Sequence, residues 1–151
     1  MRKFIHLVAI TTALIFSGLS LAQSYVVPAD APAYIKRGVE AIDRSEEMQA
    51  RDPARLPAQV LMLAGLQEGD HIAEITSLGQ YYSTIVSAAV GPEGRIDMYD
   101  MPYMAQFGAV ENGNVFAASH PNATYTNVHY NDITLADDLN AVYNVLYYHD
   151  L

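Results

Sequence analysis

The sequence predicts a single α/β domain built on a parallel β-sheet flanked by helices. Three observations carry this. Short β-forming runs at 71–75, 95–99, 126–130 and 139–148 alternate with segments of helical periodicity. Turn residues separate them, among them Gly69-Asp70, Gly91-Pro92 and Pro121-Asn122. The 151 residues, 51% apolar and 17% charged, give a globular composition with room for one domain. Crossovers between parallel strands should be right-handed, which sets helices on both faces. No internal repeat, heptad or low-complexity tract interrupts the pattern.

The first segment reads as a targeting sequence. Arg2 and Lys3 precede an apolar run from Phe4 to Phe16, followed by small residues at Ser20 and Ala22. A charged start, a short apolar core and a small-x-small site are those of a secretory signal peptide over residues 1–22. The run is shorter than the ~20 residues of a membrane span; an uncleaved anchor is the rival reading. Cleavage after Ala22 leaves 129 residues, and loss of Arg2 and Lys3 takes the formal charge from −9 to −11. The expected location is therefore the periplasm or the medium, with no stable membrane span after cleavage.

Residues 23–50 form an N-terminal segment with one helix. Ile35, Val39 and Ile42 recur at helical spacing from Ala33 onward, and Ser45 to Arg51 is polar. Asp52-Pro53 suits an N-cap with proline at the first helical position, and Val60, Leu61, Leu63 and Ala64 give that helix an apolar face up to Gly65. His71 to Ile75 is the first strand. Thr76 to Gln80 is a loop, and Tyr82, Ile85, Val86, Ala89 and Val90 make one helical face that Gly91-Pro92 stops. Arg95 to Tyr99, ending at Asp100, is the second strand. A helix follows over 101–110, a loop at 111–114, a third strand over Thr126–Tyr130 and a fourth over Leu139–Tyr148.

Composition excludes several functions. With 8 basic against 17 acidic side chains, the chain is unsuited to nucleic acid, whose phosphates draw on Lys and Arg. Without cysteine there is no disulfide, thiolate site or cysteine nucleophile. His71, His120, His129 and His149, with Asp132 and Asp150, supply metal-ligand types, but no pair has the H-x-x-x-H spacing, so no metal site is expected.

In such sheets a ligand sits beyond the carboxyl ends of the strands. Asp100 ends the second strand 21 residues after Gly79. A carboxylate about 20 positions past a glycine loop suits ribose hydroxyls, and glycine lets the backbone come close. The plainer reading makes Gly79 a turn residue and Asp100 a solvated carboxylate or a cap for the helix near Met101. Tyr81, Tyr82, Tyr143, Tyr147 and Tyr148 either line an aromatic pocket or serve the core. His149 either acts as a general base or merely ends its strand.

From Arg51 onward the chain resembles class I S-adenosylmethionine-dependent methyltransferases, and more narrowly exported bacterial predicted methyltransferases. The resemblance rests on Arg51-Asp52, Leu56-Pro57-Ala58-Gln59-Val60-Leu61, Leu66 to Ile75, Tyr81-Tyr82-Ser83, Gly91 to Ile96, Asp100, Asn144 and Tyr148-His149-Asp150-Leu151. It implies a Rossmann-like domain over 51–151 with S-adenosyl-L-methionine as cofactor. Glu74 and Thr76 would open the cofactor motif, Gly79 would bring the loop against the ligand, and Asp100 with Met101 would hold the ribose. Asp132 and Ile133 would border the adenine, and Asn144 would stand near the methyl acceptor, whose identity the sequence leaves open. The alternative is a non-catalytic relative that binds another small molecule or a partner protein.

Two departures stand out. The loop Thr76-Ser77-Leu78-Gly79-Gln80 keeps one glycine where the family is glycine-rich, and Leu78 and Gln80 add side chains. The family fold also continues for about three strands, so the sheet is expected to be incomplete, with strands 1–4 only. Its open edge then calls for cover by a partner or a second copy.

Overall fold

The structure, a computed structural model, describes residues 24–147. The expected signal peptide and the Tyr148-His149-Asp150 stretch lie outside the described residues.

Four strands form one sheet: β1 (His71–Ile75), β2 (Arg95–Asp100), β3 (Ala123–Asn127) and β4 (Ala141–Tyr143). Their order is β3-β2-β1-β4 and every pairing is parallel. Helices α1 (Ala33–Val39), α2 (Glu46–Ala50), α3 (Asp52–Arg55) and α4 (Pro57–Leu63) precede the sheet. Helix α5 (Tyr81–Val90) joins β1 to β2, and α6 (Ala109–Ser119) joins β2 to β3. This is the expected α/β, Rossmann-like architecture, but helices do not cover both faces: α1, α2, α4, α5 and α6 share one core, and the β3–β4 connection, which holds no α-helix, covers the other face.

The central strand β1 is buried at all five positions, as a parallel strand covered on both faces must be. Ile72, Ile96 and Met98 join Ile35, Leu61, Ile85, Val86 and Phe116 in the main core. Ala73, Ile75 and Tyr99 pack beneath Val128, Tyr130, Ile133 and Leu139 of the β3–β4 connection. Helices α1 and α5 approach closely at Gly38, where an added Cβ would lie 2.9 Å from that of Ala89. At the amino edge the ring nitrogens of buried His71 lie 2.7 Å from Asp97 Oδ2 and 2.9 Å from Asp138 Oδ1. Asn140 accepts a bond from the His71 amide, which clips the approach to β4 onto β1.

Several boundaries depart from the sequence expectation. Helix α1 stops at Val39, leaving Ile42 fully exposed. The polar stretch at 45–51 holds α2, whose Ser45 side chain accepts from the Met48 amide. Asp52 does not cap its helix; the carboxylate turns inward to Arg44. The expected 52–64 helix breaks at Leu56 (φ 46°), ahead of Pro57, since the residue before proline disfavours helical geometry. Residues 102–107 form a 3₁₀ segment, and Gly108 (φ 81°) separates it from α6. The expected loop at 111–114 lies inside α6, where Asn114 bonds back to the Val110 carbonyl. β3 begins three residues early because Asn122, bonded to the Ser87 and Gly91 carbonyls, fixes its start. β4 keeps only three residues of the expected ten, and Leu146 (φ 75°) lies beyond its end.

Gly113 survives in α6 because the Tyr125 ring occupies the space a Cβ would take. Helix propensity favours alanine over glycine by about 1 kcal/mol, whereas overpacking costs about 1–3 kcal/mol. Gly113→Ala is therefore expected to lower stability in urea unfolding, while Asn114→Ala on the exposed side of the same turn leaves it unchanged or raises it. Equal gains from both would contradict the packing.

Candidate functional site

From β1 the chain moves to β2 on one side and later returns to β4 on the other. The strand order reverses between β1 and β4, and the crevice beyond their carboxyl ends is where such sheets take ligands.

Glu74, next to last in β1, points into the helix layer and accepts a 2.6 Å bond from Ser83 Oγ on α5. Burial pushes its carboxyl up to about 8; the Ser83 bond opposes the shift and the Asp100 charge adds to it. At neutral pH Glu74 is largely protonated. The chain then turns left-handed at Thr76 (φ 69°), Gly79 (φ 81°) and Gln80 (φ 49°). For a β-branched residue such as Thr76 this geometry is strained. Its amide donates to the Tyr99 carbonyl at 2.8 Å and its hydroxyl pairs with that of Tyr130, which hold the bend. No atom lies within 4 Å of a Cβ built on Gly79, so backbone conformation, not crowding, selects glycine there.

Asp100 lies one residue beyond the last β1–β2 pair, Ile75 with Tyr99. Its carboxylate reaches back over the loop. Ser77 Oγ donates to Oδ2 at 3.0 Å and the Leu78 amide to Oδ1 at 3.1 Å. Burial raises its pKa; the bonds from Ser77 and Leu78 pull the other way. Asp100 is 0% exposed, so it is no solvated carboxylate, and the 3₁₀ segment after Met101 has no side-chain cap. The spacing thus brings the Gly79 loop and Asp100 together, but with the carboxylate engaged by its own chain.

The other candidates are spread more widely. Met101 adjoins Asp100, half-buried, and its carbonyl accepts from Asn127. Asp132 is exposed in a 3₁₀ turn, and Ile133 packs against the β1–β2 face. Asn144 follows β4, and both polar atoms of its side chain are buried without a partner among the described residues.

Sequence reasoning did not single out the network that frames the site. Arg44 grips Asp52 with two nitrogens, at 2.5 and 3.0 Å, and Tyr81 donates to the same carboxylate at 2.6 Å. The guanidinium carbons of Arg55, Arg51 and Arg44 lie 4.5, 5.2 and 5.3 Å from the Tyr81 ring centre. The available signal was the i, i+4 spacing of Arg51 and Arg55. A cavity of about 20 Å³ opens here, bounded by Arg51, Arg55, Glu74, Ser77, Tyr81 and Tyr147.

A carboxylate beside a left-handed glycine turn offers acceptors of the kind a ribose binds, and the Asn144 amide is buried without a partner among the described residues. The residue types fit a nucleoside cofactor. The closed loop does not, since the Asp100 carboxylate is fully buried and held by Ser77 and Leu78. Entry requires the 76–80 loop to withdraw from Asp100.

No protein-family model matches the chain, and no curated protein matches it. Among solved structures it is similar to a SAM dependent methyltransferase from Aquifex aeolicus, at 26% identity and a TM-score of 0.46. The match covers 60% of this chain and 50% of the other, so the chain spans half the length of that structure.

The raised carboxyl of Glu74 sets a pH dependence. The folded state holds a proton that the unfolded state releases between the ordinary 4.5 and about 8, so stability falls as pH rises through that window. Asp100 shifts the same way. Asp97 differs: burial raises its carboxyl, but Thr124, His71 and Arg95 outweigh this and the net shift is downward, acting only below the ordinary 3.8. Urea unfolding between pH 5 and pH 8, spanning that window, should therefore show declining stability, with a much flatter profile in Glu74→Gln. An unchanged slope in the variant would contradict the assignment.

Proposed function

We propose that this domain binds a nucleoside cofactor of the S-adenosylmethionine type at the carboxyl edge of β1 and β2, and that it serves methyl transfer to a nucleophile. The supporting observation is the meeting of the Asp100 carboxylate with the left-handed turn at Gly79, beside the strand-order switch. In this reading the ribose hydroxyls take the acceptor positions that Ser77 and Leu78 now fill. Glu74 and Thr76 shape the floor of the site, Met101, Asp132 and Ile133 its nucleoside side, and Asn144 the acceptor side. The protein's part in the reaction is placement of the two reactants. The N-terminal segment adds export to the proposal.

One observation favours a second reading. The loop is sealed on Asp100, and Gln80 buries a side chain whose amide nitrogen lacks a partner among the described residues. A loop that stays closed would make this a non-catalytic relative that binds a different ligand.

Calorimetry with S-adenosylhomocysteine separates the two. The first reading expects micromolar binding, weakened ten- to a hundredfold in Asp100→Asn by loss of charge-assisted bonds worth about 1.5–3 kcal/mol. It also expects several-fold tighter binding in Ser77→Ala, which loses one closing bond. No heat at millimolar ligand from a folded sample selects the second reading.

A further inference from the structure

The cavity at the carboxyl edge of β1 carries two arginines that have no acidic partner among the described residues. Among the described residues, Arg37 pairs with Glu68, Arg44 with Asp52 and Arg95 with Asp97, whereas Arg51 and Arg55 form no ion pair. In a chain where acidic side chains outnumber basic ones 17 to 8, two neighbouring guanidiniums without an ion pair among the described residues are unexpected. Both are half-buried, and both line the cavity with Ser77, Tyr81 and Tyr147.

The acid that lines the same cavity, Glu74, does not neutralise them. Its carboxyl is turned to Ser83 and burial keeps it largely protonated at neutral pH. The arginines are also held in place. Each rests against the Tyr81 ring, and the Tyr81 hydroxyl is anchored on the Arg44–Asp52 pair. A guanidinium fixed on an aromatic face keeps its donor fork free for a planar anion and loses little entropy when it binds. The cavity, about 20 Å³, has room for one water-sized group, so a single carboxylate oxygen enters it and the rest of the ligand stays outside.

We infer that Arg51 and Arg55 form a binding site for the carboxylate of a small organic acid, preorganised on Tyr81 at the carboxyl edge of β1 and β4. Planar carboxylates match the arginine fork through paired bonds. The carboxylate is either that of an amino-acid-bearing nucleoside or that of a separate ligand. The site itself does not depend on the nucleoside reading.

Succinate is the probe, followed by nitrogen-15 NMR of arginine side chains in the full chain. The Nε–Hε signals of Arg51 and Arg55 should move along a saturable curve with a midpoint on the order of millimolar, while those of Arg37 and Arg95 stay in place. Arg51→Gln with Arg55→Gln should abolish the saturable component, and Arg55→Lys should weaken it by about tenfold, a point charge replacing a fork. Circular dichroism confirms that the variants fold. Linear, equal shifts of all arginines, or tighter binding of inorganic phosphate than of succinate, overturn the inference. A second titration identifies the source. If the carboxylate belongs to the nucleoside, the double variant weakens S-adenosylhomocysteine and leaves 5′-methylthioadenosine, which lacks that group, unchanged. If it belongs to a separate ligand, succinate still binds with S-adenosylhomocysteine present. Succinate binding without any nucleoside binding leaves this site standing and removes the nucleoside reading alone.

Discussion

The parallel pairing of β1 with β2 is the constraint on which the rest of the site depends. Its register sets Ile75 beside Tyr99, so Asp100 falls one step past the end of β1. From there one carboxylate meets both the hydroxyl of Ser77 and the amide of Leu78. A one-residue slip would turn Asp100 to the opposite face and bury Tyr99 among the helices instead. The slip is opposed on both faces, since Ile96 and Met98 belong to one core and Tyr99 to the other.

A second constraint fixes what lies over the carboxyl edge. Helices α2, α3 and α4 are short, and isolated helices of four to seven residues do not hold themselves together. The buried Arg44–Asp52–Tyr81 network ties α3 to α5 and thereby places Arg51 and Arg55. Buried ion pairs contribute little net stability but strongly penalise arrangements that separate them. Here that penalty serves position. It fixes α3, and with it Arg51 and Arg55, against a cavity whose remaining acid is largely protonated at neutral pH.

The parts legible in the sequence were those governed by local pattern. β1, α5 and β2 follow from a β-forming run, one clean helical face and the Gly91-Pro92 stop, and each has the expected span. The parts missed were set by distant contacts. β3 starts where Asn122 bonds to Ser87 and Gly91, some 30 residues earlier. Gly113 reads as a loop residue until the Tyr125 ring is seen to need its bare Cα. The Gly79–Asp100 spacing foretold their meeting, but not that Ser77 would fill the carboxylate. That depends on the left-handed turn at Thr76, a conformation no propensity assigns to a β-branched residue.

The central claim is that the loop and Asp100 form one site with a closed and an open state. The most direct measurement is the proton chemical shift of the Leu78 amide during titration with S-adenosylhomocysteine. If the claim holds, this resonance moves saturably as its bond to Asp100 is given up, while the His71 amide at the opposite edge of the sheet does not move. A Leu78 signal that stays fixed while the ligand binds elsewhere on the protein would contradict it.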